Sequence, residues 1–93
     1  MSNDRSVHGI ARGRVQGVFY RACLQKEATA LSLTGWVRNL ADGAVEFLAQ
    51  GESESVQALL NWAERGPTLA RVSAVEIKDI QPAHDLQGFE IRY

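Results

Sequence analysis

Apolar and polar positions recur along this chain of 93 residues with two different periods. From Val7 to Arg12, the small residues Gly9 and Ala11 alternate with His8 and Ile10, which predicts a first strand. Beyond a glycine-bounded turn, Tyr20, Leu24, Ala28 and Leu31 fall at helical spacing and predict an amphipathic helix. Thr34-Gly35 is read as its end, because glycine is favoured just past a helix C-terminus. Trp36 to Leu40 and Val45 to Gln50 read as two strands joined at Ala41-Asp42-Gly43, and Asp-Gly between apolar runs signals a hairpin. Val56, Leu59, Leu60 and Ala63 mark a second helix from about Ser53 to Arg65, with Glu52 and Glu54 near its positive end and Gly66-Pro67 as its stop. Val72 to Ile80 alternates again, with Val75 and Ile77 on one face and Glu76 and Lys78 on the other, until Pro82 ends it. Phe89 to Tyr93 reads as a short final strand.

The order strand, helix, strand, strand, helix, strand, with that terminal strand added, is the βαββαβ or split βαβ pattern. It predicts an α+β, ferredoxin-like sandwich in which two helices pack on one face of an antiparallel sheet. Residues 1–93 are read as one domain, ordered from about 5 to 93, with no repeat and no linker. This topology hosts enzymes, RNA binders and regulatory modules alike, so individual residues must decide the function.

Composition narrows the choice. Hydrophobic residues make up 45% and charged residues 23% of the chain, and no apolar run approaches the roughly 20 residues needed to cross a bilayer. No membrane partner is therefore expected. The start, Met1 to Asp4, lacks the apolar segment of a signal peptide, and the single Cys23 leaves no intrachain disulfide to form. Both point to a cytoplasmic protein.

The net charge of -1 hides an asymmetry. Arg5, Arg12, Arg14, Arg21 and Lys26 fall in a stretch without one acid, whereas Leu40 to Tyr93 carries nine acids against four bases. A positive field around the first turn would draw in a small anion, and the acidic remainder would repel a long polyanion. A small phosphorylated molecule fits this better than nucleic acid.

The candidate chemistry lies in Gly13-Arg14-Val15-Gln16-Gly17-Val18-Phe19-Tyr20-Arg21-Ala22-Cys23, which reads as a strand end, a tight turn and a helix start. A helix N-terminus offers unpaired N–H groups and the positive end of a dipole, and glycines let the chain turn sharply enough to aim those donors at one anion. Arg21 adds a planar guanidinium, whose fork of donors matches phosphate oxygens and keeps its proton at working pH.

Gly13 to Arg21, together with Gly35-Trp36-Val37-Arg38-Asn39-Leu40-Ala41-Asp42-Gly43, resembles the acylphosphatase family. Gly66-Pro67 and Gly88-Phe89-Glu90-Ile91-Arg92-Tyr93 are also similar to the family's pattern, so the resemblance spans nearly the whole chain. Phenylalanine is common in the family just before the motif arginine, where this chain has Tyr20 and keeps an aromatic ring. The resemblance implies an enzyme that hydrolyses acyl phosphates to a carboxylate and inorganic phosphate, with no metal and no cofactor. It implies that Arg21 binds the phosphoryl group alongside backbone N–H groups of Gly13, Arg14, Val15, Gln16, Gly17, Val18 and Phe19, and that Asn39 positions the attacking water. The implied partner is a small-molecule acyl phosphate, with inorganic phosphate as product and competitive inhibitor, and the protein is expected to act as a monomer.

Plainer readings stand beside these. Arg21 could pair with Glu27 or Glu46, Asn39 could cap the Asp42-Gly43 hairpin, and Gly13 and Gly17 could relieve a bulge or a positive φ. Cys23 has no histidine in either motif to act as its base, and His8 and His84 lack ligand-like spacing. Trp36 and Trp62 read as packing residues, and Arg14 and Arg38 either tune the local field or sit on a solvated face. An RNA-binding module of the same topology would need a basic and aromatic run on its central strands, which is absent here. A regulatory or carbamoyl-phosphate-handling module remains a rival, since such domains also occur within larger proteins; the chain's apparent completeness at both ends favours a free-standing enzyme.

Overall fold

The computed structural model describes residues 4–83 and 85–93; Met1, Ser2, Asn3 and His84 lie outside the described residues. The elements are β1 (Asp4–Arg14), α1 (Tyr20–Ala30), β2 (Thr34–Asn39), β3 (Val45–Glu52), α2 (Ser53–Arg65), β4 (Arg71–Asp79) and β5 (Phe89–Arg92). They build a five-stranded sheet in the order β4-β1-β3-β2-β5. No helix among the described residues is long and apolar enough to cross a membrane.

Strand parity sorts the side chains. Val7 and Ala11 of β1, Val37 of β2, and Val45, Phe47 and Ala49 of β3 point to one face and are fully buried there. Both helices cover that face, α1 through Tyr20, Leu24 and Ala28, and α2 through Val56, Leu59, Leu60 and Ala63. The apolar stripes read from the sequence are the stripes that pack, and removing this surface from water supplies the main driving force for the fold. Tyr20 adds a polar anchor: its hydroxyl donates to the Ala63 carbonyl at 2.8 Å, and its ring packs 5.4 Å from that of Trp62. The first turn of α1 is thereby fastened to the end of α2. Burial pushes the Tyr20 phenol well above its ordinary value, so it stays a neutral donor.

Three local details differ from the sequence reading. β1 extends well beyond Val7–Arg12 at both ends, because it is paired on both sides, by β3 and by β4, and ladder bonds hold its polar ends in place. α1 stops before Thr34-Gly35: Ser32 takes the left-handed conformation (φ 59°), and the Leu33 amide reaches back to the Ala28 carbonyl at 2.9 Å. Thr34 and Gly35 instead begin β2, where the Gly35 amide donates to Gly88 at 3.0 Å.

The third concerns the sheet, which is antiparallel except at one edge, where β5 lies parallel to β2. β4 and β5 occupy opposite edges of the sheet, so the connection between them passes the ends of the intervening strands. The Ile80 amide donates to the Ser6 carbonyl at 2.9 Å, and the Gln50 carboxamide brackets Ala83, donating to its carbonyl at 2.7 Å and accepting from its amide at 2.8 Å. The chain arrives beside the start of β2, and β5 can only run in the same direction as β2.

Candidate active site

The site begins where β1 loses its register. A bulge falls between Arg12 and Gly13 against β4, and Gly13 adopts φ 118° with the Arg71 carbonyl only 2.2 Å from where a Cβ would stand. No side chain fits there, and the chain turns off the sheet. Gly17 follows at φ 74°, in open space, so its backbone conformation rather than crowding asks for glycine. Phe19 caps α1 from the left-handed region (φ 65°, ψ 20°), without a side-chain hydrogen bond and with no acid in the first turn.

The main-chain donors are therefore open. Among the described residues, the first amide past β1 to find a main-chain acceptor is that of Cys23, which donates to the Phe19 carbonyl at 3.0 Å. Among the described residues, the amides between the end of β1 and Cys23 have no main-chain acceptor outside the strand ladder, and they lie at the positive end of the α1 dipole.

Two side chains join them. Arg21 lies in the first turn of α1, and Asn39 is the last residue of β2, exposed and in phase with Val37. Both line a cavity of about 310 Å³ together with Val15, Gln16, Gly17 and Phe19 from the turn. Among the described residues no carboxylate pairs with Arg21: Glu46 is held by His8 at 2.7 Å and by Arg38 at 2.5 Å. Asn39 does not cap the hairpin; Asp42 does, accepting from the Ala44 amide at 3.0 Å. That bond, with Arg12 beside it, holds the Asp42 carboxyl below its ordinary value.

Gln16 contributes a strut as well as a place in the turn. Its carboxamide nitrogen donates to the carbonyls of Leu40 at 2.7 Å and Ala44 at 2.9 Å, tying the turn to the hairpin that begins at Asn39. Gly13 and Arg14 finish β1 outside the cavity wall, and Val18 turns into the core at 3% exposure. The structure thus brings together Arg21, Asn39 and four of the seven turn residues, and sets the other three behind them.

The cavity also holds Ala22, Ile91 and Tyr93, the last two being residues that sequence reasoning passed over. The Tyr93 ring sits over the guanidinium of Arg21, 5.0 Å from centroid to Cζ. Phe89, Ile91 and Tyr93 alternated visibly in the sequence, but nothing in that pattern said which edge they would join. Trp36 is on the opposite face of the sheet, between Arg38 at 5.6 Å and Arg92 at 4.9 Å. Cys23 is half-buried on α1 and outside the cavity wall.

This arrangement can grip a tetrahedral dianion, with main-chain donors on one side, a guanidinium fork on another, and a carboxamide placed to hold a water. A family model described as acylphosphatase matches residues 7–91. A protein named acylphosphatase from Methylococcus capsulatus is 48% identical over 87 residues, which are 94% of this chain and 95% of that one. The solved structure of an acylphosphatase from Coxiella burnetii superposes with a TM-score of 0.91 at 42% identity, covering 97% of this chain and 94% of the other. The acylphosphatase from Bacillus subtilis superposes at 0.92 with 32% identity, covering 96% and 99%.

Proposed function

This chain belongs to the acylphosphatase family, enzymes that hydrolyse acyl phosphates, and we propose that it does so with the Arg21 guanidinium, the amides of the Gly13–Phe19 turn and the Asn39 carboxamide acting on one bound phosphoryl group. The observation that carries this reading is that a helix N-terminus without a side-chain cap, an arginine with no carboxylate partner among the described residues, and a carboxamide share one cavity.

Phosphoryl transfer asks a protein mainly for positioning and charge stabilisation. Amides and guanidinium hold the nonbridging oxygens and take up charge as the bond to the carboxylate oxygen lengthens. That carboxylate is a good leaving group and departs without an acid. Asn39 accepts from the water and donates to it, which orients the attack, but a carboxamide is no base. The water's proton passes to a phosphate oxygen, giving the carboxylate and inorganic phosphate. Turnover is then flat across neutral pH, and an essential protein base titrating near neutrality contradicts the scheme.

We further propose one domain over residues 1–93, working as a cytoplasmic monomer without a metal, with inorganic phosphate competing for the substrate's seat. Release of inorganic phosphate from benzoyl phosphate in the presence of EDTA tests the reading. Undiminished release supports it. A need for added metal overturns the mechanism, and phosphate binding without turnover makes the chain a binding module.

A further inference from the structure

The phosphate-directed groups account for only part of the cavity. Its remaining wall is built from Phe19, Ala22, Ile91 and Tyr93. Large hydrophobic side chains exposed among the described residues are Phe19, Leu69, Ile77 and Tyr93, and the two aromatic ones are the two that border this cavity. Phe19 is 72% exposed although it occupies a left-handed backbone position that a bulky residue adopts only under strain. Its carbonyl is used by the Cys23 amide, so the backbone is fixed and the ring is displayed outward.

On the other side, pairing of β5 with β2 sets Ile91 beside Val37, and the same parity carries Tyr93 toward Asn39. The Arg21 Cζ lies over the Tyr93 ring, 5.0 Å from its centroid, so the ring borders the guanidinium that the phosphate seat uses. An apolar surface flanking a polar anion seat is suited to the part of the substrate that carries no charge.

We infer that Phe19, Ile91 and Tyr93 form the seat for the acyl group, and that the enzyme selects acyl phosphates with an apolar, flat, preferably aromatic acyl group over those with short or charged ones. The inference rests on the phosphate seat proposed above. A phosphate gripped by Arg21 and the turn leaves its acyl substituent against these side chains, where a ring stacks offset on Phe19 or Tyr93. A carboxylate placed there would lose water without gaining a partner.

The test measures kcat/KM for benzoyl phosphate and acetyl phosphate, each divided by its spontaneous hydrolysis rate, in the wild type and in Phe19→Ala, Tyr93→Ala and Tyr93→Phe. The wild type is expected to favour benzoyl phosphate by at least about tenfold, and each alanine variant to lower that ratio about three- to tenfold, the loss typical of one aromatic contact. Tyr93→Phe keeps the ring and keeps the ratio. General loosening of the site lowers both substrates together and leaves the ratio as it was. An unchanged ratio in both alanine variants, or no wild-type preference, overturns the acyl seat alone. Absence of turnover on both substrates overturns the phosphate seat, and the acyl seat with it.

Discussion

The helix-free face of the sheet and the corner where β1 hands over to α1 both carry arginines, and the two regions treat them in opposite ways. On the open face Arg12 is bound to Glu76 and lies 3.2 Å from Asp42, and Arg38 shares Glu46 with His8. At the corner, Arg21 has no carboxylate among the described residues and the neighbouring amides have no main-chain acceptor. Donors satisfied inside the fold hold strands together; donors left open are available to a ligand. The basic segment read from the sequence is therefore not a uniform positive field. Arg5 and Arg12 sit on β1, where register sets them beside Asp79 and Glu76 of the acidic second half, and they are neutralised there. Arg21 leaves the sheet with the helix and escapes that pairing.

The harshest challenge to this contrast is deletion of one arginine from each region. Arg21→Ala is expected to lower kcat/KM about 100- to 1,000-fold, because a preorganised donor at a phosphoryl transition state contributes about 3 to 4 kcal/mol. Arg38→Ala removes a guanidinium as well, yet is expected to leave kcat/KM within about twofold and to cost under about 1 kcal/mol of stability, as exposed ion pairs do. Steady-state kinetics and urea denaturation of the two variants decide it. Equal losses of activity would erase the distinction. Asn39→Ala comes next, with a loss of up to about 100-fold expected in kcat and little change in KM, since it positions water rather than phosphate. Normal turnover in this variant removes Asn39 from the mechanism.

Gln16 sharpens the comparison, because it belongs to the corner but has its own hydrogen bonds made. Leu40 and Ala44 each keep another main-chain partner if its carboxamide is lost: the Gly43 amide at 3.2 Å on Leu40, and the Leu40 amide at 2.8 Å on Ala44. The folding cost of Gln16→Ala is accordingly about 1 kcal/mol. The turn and the Asn39 hairpin are no longer tied, and displacement by a fraction of an ångström at a reacting centre is expected to lower kcat about tenfold, more than it raises KM. Gln16→Glu tests the same point at constant size, since a carboxylate facing two carbonyls donates nothing. A variant with full kcat would mean that the strut supports the fold alone.

What was legible in the sequence follows the same division. The periods of Tyr20, Leu24 and Ala28, of Val56, Leu59 and Ala63, and of the strands fixed the elements, because one-sided burial writes itself into spacing. That Arg21 and Asn39 would line one cavity was legible, because their motifs place them at a helix start and a strand end. The end of α1 was not, since Ser32 took the left-handed role that composition would assign to Gly35. Nor were Ile91 and Tyr93 as cavity residues. Their place depends on the connection from β4 to β5, where Ser6 holds Ile80 and Gln50 holds Ala83, and long-range bonds of that kind leave no periodic trace.

The gentlest probe of the contrast uses acid on the open face. The Glu46 side chain is only 14% exposed, and burial by itself raises its pKa, but hydrogen bonds and charge from His8 and Arg38 outweigh that and bring it below the ordinary 4.5. A carboxyl with a lower pKa folded than unfolded contributes stability that is complete above 4.5 and disappears as pH falls through the folded value. Glu46→Gln keeps the shape and an acceptor but cannot ionise. Its thermal midpoint is expected to lie a few degrees below wild type near about pH 7 and to converge with it as the pH falls through the folded value of Glu46. Activity at neutral pH is expected to stay within about twofold of wild type, because Glu46 faces away from the cavity and its partners are Arg38 and His8. A constant gap in thermal midpoint at all pH values would show that shape rather than charge holds this face together. A large loss of activity would mean that the satisfied face and the open corner are coupled through Arg38 and Asn39, neighbours on β2, and that the division between them is one of degree.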